Sequence, residues 1–292
     1  MISDYRCVYC LMSAFGRSIE KADIHVRAKE GFTKEMIGVL NEKWYTINAP
    51  DCARDIHKLY RKYIKNDDPF REAKKKSNDT VMQMMGELEQ TIRSSKDPFT
   101  TALKLAIAGN IIDFAVNDTC DLEGTVEKVL NSDFAVDHSA QLREQLGKAG
   151  KVLYLGDNAG EIVFDKLFIR EISHSDLTFA VRGAPVINDA TMEDAEYTGM
   201  TSMVKVISNE YDAPSTILAR SGNEFLRHFE NADVIISKGQ GNLEGLIGES
   251  DPRIFFLLMV KCRVMAEYLN TEVGSYVVWN PALARKNTKD LL

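Results

Sequence analysis

The sequence predicts an α/β protein, with a mostly parallel sheet in residues 121–292 preceded by a helical domain over residues 1–120. Three observations predict this. Apolar residues follow helical spacing up to about residue 120, and short uninterrupted apolar runs recur after residue 150. The conspicuous polar motifs stand directly after those runs. Runs without polar alternation suit strands buried on both faces. Strands alternating with helices predict a parallel sheet with right-handed crossovers.

In the N-terminal part, the stretch 53–64 carries Ile56, Leu59, Tyr60 and Tyr63 at helical intervals. Residues 81, 82, 84, 85, 88 and 92 are apolar in the same rhythm, and Asp97-Pro98 opens a third helix over 100–114. Strands are expected at 151–155, 177–181, 204–207, 233–237, 254–260 and 275–279. In such sheets the chemistry collects at the carboxyl ends of the strands.

Composition narrows the function. The chain has 292 residues, 45% apolar and 27% charged, with a net charge of −7. An acidic balance argues against nucleic acid as partner, because phosphate neutralisation needs a basic face. The one dense basic run, Lys74-Lys75-Lys76, reads as a solvated helix face. The longest apolar run is seven residues, 254–260, whereas a bilayer span needs roughly 20. With no basic region leading into an apolar stretch at the start, a cytoplasmic protein without a membrane partner is expected.

Three loops carry candidate chemistry. After strand 151–155 comes Gly156-Asp157-Asn158-Ala159-Gly160-Glu161, which sets two oxygen ligands at a strand end. Oxygen donors suit hard cations such as Mg²⁺ or Mn²⁺, although either residue would also serve as a helix cap. After strand 177–181, Asp189 holds an equivalent place within Asn188-Asp189-Ala190-Thr191. After strand 233–237 the chain reads Ser237-Lys238-Gly239-Gln240-Gly241-Asn242, a glycine-rich turn with a cation, suited to an anion. This is neither a Walker A loop nor a dinucleotide fingerprint.

Together these motifs resemble the DUF89, or damage-control phosphatase, family from Cys7 to about Trp279. Weaker echoes are Asp68-Pro69-Phe70 with its following lysines, Gly109-Asn110 through Asp113, and Lys261. The resemblance implies a Rossmann-like three-layer α/β/α fold and a metal-dependent phosphatase of small phosphorylated metabolites. It implies Asp157, Asn158 and Asp189 as ligands of a divalent cation, Mg²⁺ or Mn²⁺, with Co²⁺ or Ni²⁺ as alternatives. Lys238 and Lys261 would hold phosphate, with 239–242 (Gly239, Gln240, Gly241, Asn242) and Asn110 on the substrate. Asp157, Lys238 and Glu161 would be the catalytic set. Water and Asp157 remain alternative nucleophiles. The Arg-Thr-x-Lys and Glu-Gly-Met-Gly motifs of other branches are absent, so their substrates do not carry over.

A competing reading is an S-adenosylmethionine-dependent methyltransferase, or a non-catalytic ligand-binding protein, on the same kind of sheet. Cys7-x-x-Cys10 suits half a zinc site, a redox pair or plain packing; Cys52 or Cys120 would complete a zinc site only through the fold. The five histidines form no ligand cluster and read as surface or ordinarily hydrogen-bonded residues.

Overall fold

The computed structural model describes residues 4–44, 48–109 and 122–284. Three helices come first: α1 (Arg6–Lys21), α2 (Val26–Glu42) and α3 (Ala49–Ile64). Pro50 in the first turn and Asp51 beside it favour the start of α3. The three bury their apolar stripes against one another in a separate core around Phe15, Phe32, Met36, Leu40 and Ile56.

The next two helices, α4 (Arg71–Ser94) and α5 (Pro98–Gly109), behave differently. α5 is apolar almost all round, and its Phe99, Leu103, Ala106 and Ile107 share one core with the sheet. The helices with a core of their own are therefore α1 to α3. The expected boundary near 120 falls within 110–121, outside the described residues, as do Asn110, Asp113 and Cys120.

The remainder runs α6 (Leu122–Leu130), β1 (Val136–Asp137), α7 (Ser139–Leu146), β2 (Val152–Leu155), α8 (Glu161–Ile172), β3 (Leu177–Val181), α9 (Met192–Tyr197), β4 (Lys205–Ser208), α10 (Asn223–Asn231), β5 (Val234–Lys238), α11 (Gly239–Leu246), β6 (Ile254–Met259), α12 (Arg263–Leu269) and β7 (Tyr276–Trp279). Among the described residues the sheet has seven strands in the order β1-β7-β6-β5-β2-β3-β4. All neighbours are parallel except β6 and β7. The α/β reading holds. The addition is β1, whose two residues pair with Val277 and Val278 and are too short to leave a periodic signal.

Alternation along β2 explains its unbroken apolar run. Val152 and Tyr154 face α5 and α8, whereas Leu153 and Leu155 face the core shared with α10 to α12. Each such fully buried side chain is worth about 1.5–3 kcal/mol. The chain leaves β2 toward β3 and β4, then returns to build β5 and β6 on the other side. The β2/β5 boundary is thus the topological switch point, where a crevice opens at the carboxyl ends.

α1 to α3 dock on that rim through polar contacts. Arg54 and Arg61 meet Asp212, the Tyr211 hydroxyl donates to Asp51 at 2.9 Å, and Arg6 pairs with Glu267 of α12. His57 of α3 is buried and accepts the Ile187 N–H at 3.3 Å. Ile187 has φ 45°, a left-handed conformation costly for a β-branched residue.

Burial above all, with Arg61 adding to it against Asp212, pushes the His57 imidazole down to about 4. An unfolded chain then binds more protons than the native one between pH 6.5 and about 4, so stability falls as pH drops through that window. The full depression amounts to roughly 3 kcal/mol. His57→Gln keeps an acceptor without this titration. Urea unfolding of both proteins should therefore show wild type losing stability relative to the variant as pH falls from 6.5 to 4; a constant difference would contradict the buried neutral imidazole.

Candidate active site

β2 delivers Asp157 and Asn158 to the switch point, and β3 delivers Arg182 and then the loop that ends in Asp189. The two loops are knitted backbone to backbone. The Ala159 N–H donates to Asn188 O at 2.9 Å and the Ala190 N–H to Asp157 O at 2.8 Å, around a bridge between Asn158 and Asp189. The three residues expected as ligands are thus brought together by main-chain pairing.

α4 holds both loops from behind. The Asn78 amide oxygen accepts the Gly160 N–H at 2.6 Å, and its Nδ2 donates to Asp194 at 3.1 Å. Asp194 also accepts from the Thr191 N–H and hydroxyl, capping α9. Lys74, expected on a solvated face, is buried instead and pairs with Asp194 at 3.0 Å and Asp68 at 3.4 Å. Two neighbouring carboxylates compensate its burial, which composition alone does not reveal.

Arg182 was not singled out in the sequence, yet it lies at the centre. Its Nε donates to Asp189 at 2.6 Å, Nη2 to Asp157 at 3.3 Å, and Nη1 to Asn242 at 2.9 Å. The only signal was its place as the first residue after β3. Asn242 donates its own amide to the carbonyls of Gly156 and Lys238. It therefore braces Arg182 and the strand ends, and its amide is spent on protein partners rather than on a substrate.

The third loop is a helix. β5 ends at Lys238 and α11 begins at Gly239, so residues 239–242 form a first turn whose N–H groups favour negative charge. Gly239 has φ +77°, and a Cβ there would stand 1.9 Å from Asp157 Oδ2. Only glycine lets the carboxylate sit against that helix start. A Cβ on Gly241 would stand 2.4 Å from Pro214 O, so its role is close packing. Gln240 donates to Glu244 and accepts the Lys261 N–H at 2.8 Å. Lys261 is exposed on the rim beyond β6, close enough for its charge to act on Asp157.

Lys238 departs most from expectation. Its ammonium is fully buried and donates to Glu161 at 2.6 Å, Asp165 at 2.7 Å and Ala106 O at 2.8 Å. An ammonium has three donors, and these contacts use them all. In this structure it holds carboxylates, not a phosphate-binding position. Burial opposes its charge, but Asp165 and Glu161 outweigh that and carry it up to about 12. Lys238 leaves β5 toward α5 and α8, beneath the rim rather than over it.

Four carboxylates (Asp157, Glu161, Asp165 and Asp189) and two cations (Arg182 and Lys238) are therefore buried together, leaving an excess of negative charge. The Asn158 amide spans the two halves, donating to Asp157 at 3.0 Å and Glu161 at 3.3 Å. Burial first, then Glu161 and Asp189, push Asp157 up to about 8. Burial also raises Asp189 against the pull of Arg182. Among the described residues no three His, Cys, Asp or Glu side chains gather as a metal-binding group. The donor set on offer is two carboxylates with an amide, and its unbalanced charge fits a divalent cation.

The damage-control phosphatase ARMT1-like domain model matches residues 3–277. The chain belongs to that family. A damage-control phosphatase of Pyrococcus horikoshii is 39% identical over 282 residues, covering 94% of this chain and 96% of that protein. One of Archaeoglobus fulgidus is 32% identical over 252 residues, covering 83% and 86%. The crystal structure of a DUF89 family protein from Pyrococcus horikoshii superposes with a TM-score of 0.87 at 35% identity, over 96% of this chain and 99% of that one. Like this family's name, the buried acidic site favours phosphatase chemistry over a methyltransferase. No helix among the described residues is long and apolar enough to cross a membrane.

Lys238→Ala should destabilise the fold by about 3–5 kcal/mol, because Glu161 and Asp165 lose their buried counter-charge. Urea denaturation checks this; a midpoint equal to wild type would show that the lysine is not needed to hold those carboxylates.

Proposed function

We propose that this protein is a divalent-metal-dependent phosphomonoesterase of small phosphorylated metabolites, with Asp157, Asn158 and Asp189 holding the cation. The observation that carries the reading is their convergence at the β2/β5 switch point within a buried cluster carrying excess negative charge. The all-oxygen donor set favours Mg²⁺ or Mn²⁺, with Co²⁺ and Ni²⁺ as alternatives. When bound, such an ion supplies electrostatic stabilisation of charge on the phosphoryl oxygens.

The protein's own groups have separable tasks. Arg182 orients Asp157 and Asp189 and keeps both carboxylates toward the rim. Lys261 is the exposed cation available to a substrate phosphate, and Gln240 fixes its backbone. N–H groups in the first turn of α11 add to the anion-favouring potential. Glu161 is anchored by Lys238 at one oxygen and reaches Asn158 with the other, so it positions the amide ligand. Both Asp157 oxygens accept hydrogen bonds, from Arg182 and from Asn158. That supports water rather than Asp157 as the nucleophile.

A screen of small phosphoesters with and without Mg²⁺, Mn²⁺, Co²⁺ or Ni²⁺ should find phosphate release that a chelator abolishes. Asp157→Asn should lower turnover roughly 100-fold or more, the scale expected when a charge-stabilising element is lost. Metal-independent turnover, or an Asp157→Asn protein with wild-type kinetics, would defeat the proposal.

A further inference from the structure

We infer that the protein has a second ligand site, remote from the carboxyl rim, in which Lys151, Lys205, Arg227 and the Thr178 hydroxyl bind the phosphate of a small hydroxylated phosphoester. The site lies at the amino ends of β2, β3 and β4, against α10. The inference stands independently of the phosphatase reading and of the proposed cation site.

A cavity of about 370 Å³ opens there between the sheet and α10. Pockets for small molecules span roughly 300–1,000 Å³. Strand alternation builds the floor. Leu153, Thr178 and Lys205 are register neighbours across β2, β3 and β4. Two residues further on, Leu155, Ala180 and Ile207 share a core with Phe225 and Phe229 of α10, so the first row points to the same face. α10 builds the wall. Its Glu224, Arg227, His228 and Asn231 follow the i, i+3, i+4, i+7 spacing of one helix face, and all four line the cavity. An apolar helix–sheet contact thus ends in a polar slot.

The slot holds donors that the protein does not use. Thr178 is only 3% exposed, yet among the described residues its hydroxyl makes no hydrogen bond. A buried polar group ordinarily finds a partner. Only backbone atoms of Lys151 and Arg227 are hydrogen-bonded, and neither side chain enters an ion pair among the described residues. Lys205 meets Glu224 at 3.3 Å and His228 Nε2 at 3.0 Å. An ammonium only donates, so that nitrogen accepts and the imidazole is neutral. Burial first, then Lys205, holds His228 below its ordinary range, in keeping with that state. One of the three Lys205 donors remains for a ligand.

The lining also selects the class of ligand. Three cations stand against the carboxylates of Asp176 and Glu224, in a chain whose net charge is −7. An arginine fork and two ammonium groups suit phosphate oxygens. The two carboxylates and the Asn231 amide oxygen would not bind phosphate, but they accept from hydroxyl groups, which fits a polyol attached to it. Among the described residues no Phe, Tyr or Trp lines the cavity, so a nucleobase has no stacking platform. The cavity meets the start of β2 and Asp157 follows its end, so filling one site leaves the other open.

The test uses the full chain in a chelator, which keeps metal from the carboxyl rim, with glucose 6-phosphate as probe. Calorimetry should show saturable binding to wild type that weakens roughly tenfold or more in Lys205→Ala and in Arg227→Ala, as expected when a charge-assisted hydrogen bond is lost. Thr178→Val keeps the shape and removes a hydroxyl without a protein partner, so it should fold normally and bind severalfold more weakly. Inorganic phosphate and glucose should each bind more weakly than the phosphoester. In wild type, the probe should shield Lys151 and Lys205 from acetylation while the exposed Lys148 stays reactive, as located by peptide mapping, a readout that needs no variant to fold. No saturable binding, or Lys151 and Lys205 left unshielded, would overturn the inference. Binding that survives Lys205→Ala but fails in Lys261→Ala would place the ligand at the carboxyl rim instead and overturn it too. Inorganic phosphate binding as tightly as glucose 6-phosphate would overturn the assignment of a hydroxylated ligand.

Discussion

Asp157, Glu161, Asp165 and Asp189 are buried around two cations, and the rest of the candidate site is arranged to make that tolerable. Each ion taken from water costs several kcal/mol unless geometry and hydrogen bonds repay it. Arg182 and Lys238 divide the task, one at the rim between Asp157 and Asp189, the other below it between Glu161 and Asp165. Asn158 joins the two halves. The charge that remains unbalanced is the physical ground for the proposal of a divalent cation at this rim.

The scaffold serves that constraint. Parallel strands put the loops after β2, β3 and β5 on one edge, and the reversal of strand order leaves the crevice between β2 and β5. Main-chain bonds between residues 157–159 and 188–190 hold the proposed ligands together. From one side α4 supports both loops through Asn78, Lys74 and Asp194. From above, α3 reaches the second loop through His57 and Ile187. Because α1 to α3 keep their own apolar core and meet the sheet domain through charges and hydrogen bonds, their docking depends on ionisation in a way the main core does not.

The strands were legible because burial on both faces demands uninterrupted apolar runs, and β2, β3, β5 and β6 are such runs. Asp157, Asn158 and Asp189 were legible because oxygen-bearing residues after consecutive strands must share a rim. Arg182 was not, since an arginine after a strand is ordinarily a surface residue and only its four partners reveal otherwise. The burial of Lys238 against Glu161 and Asp165 was not legible, because sequence shows that a lysine precedes a glycine-rich turn, but not which way it leaves the strand. The affiliation of α4 and α5 with the sheet was hidden too, because helical periodicity identifies an apolar face without naming what covers it.

The central claim is that the paired strand-end carboxylates hold a hard divalent cation. Calorimetric titration of Mn²⁺ into wild type and Asp189→Asn, at one pH and ionic strength, tests it most directly. Manganese prefers oxygen ligands, and the substitution removes one ligand charge at nearly constant size. The account predicts wild-type binding that weakens roughly tenfold or more in Asp189→Asn, in line with the dependence of affinity on ligand charge. Equal affinities in the two proteins would contradict it.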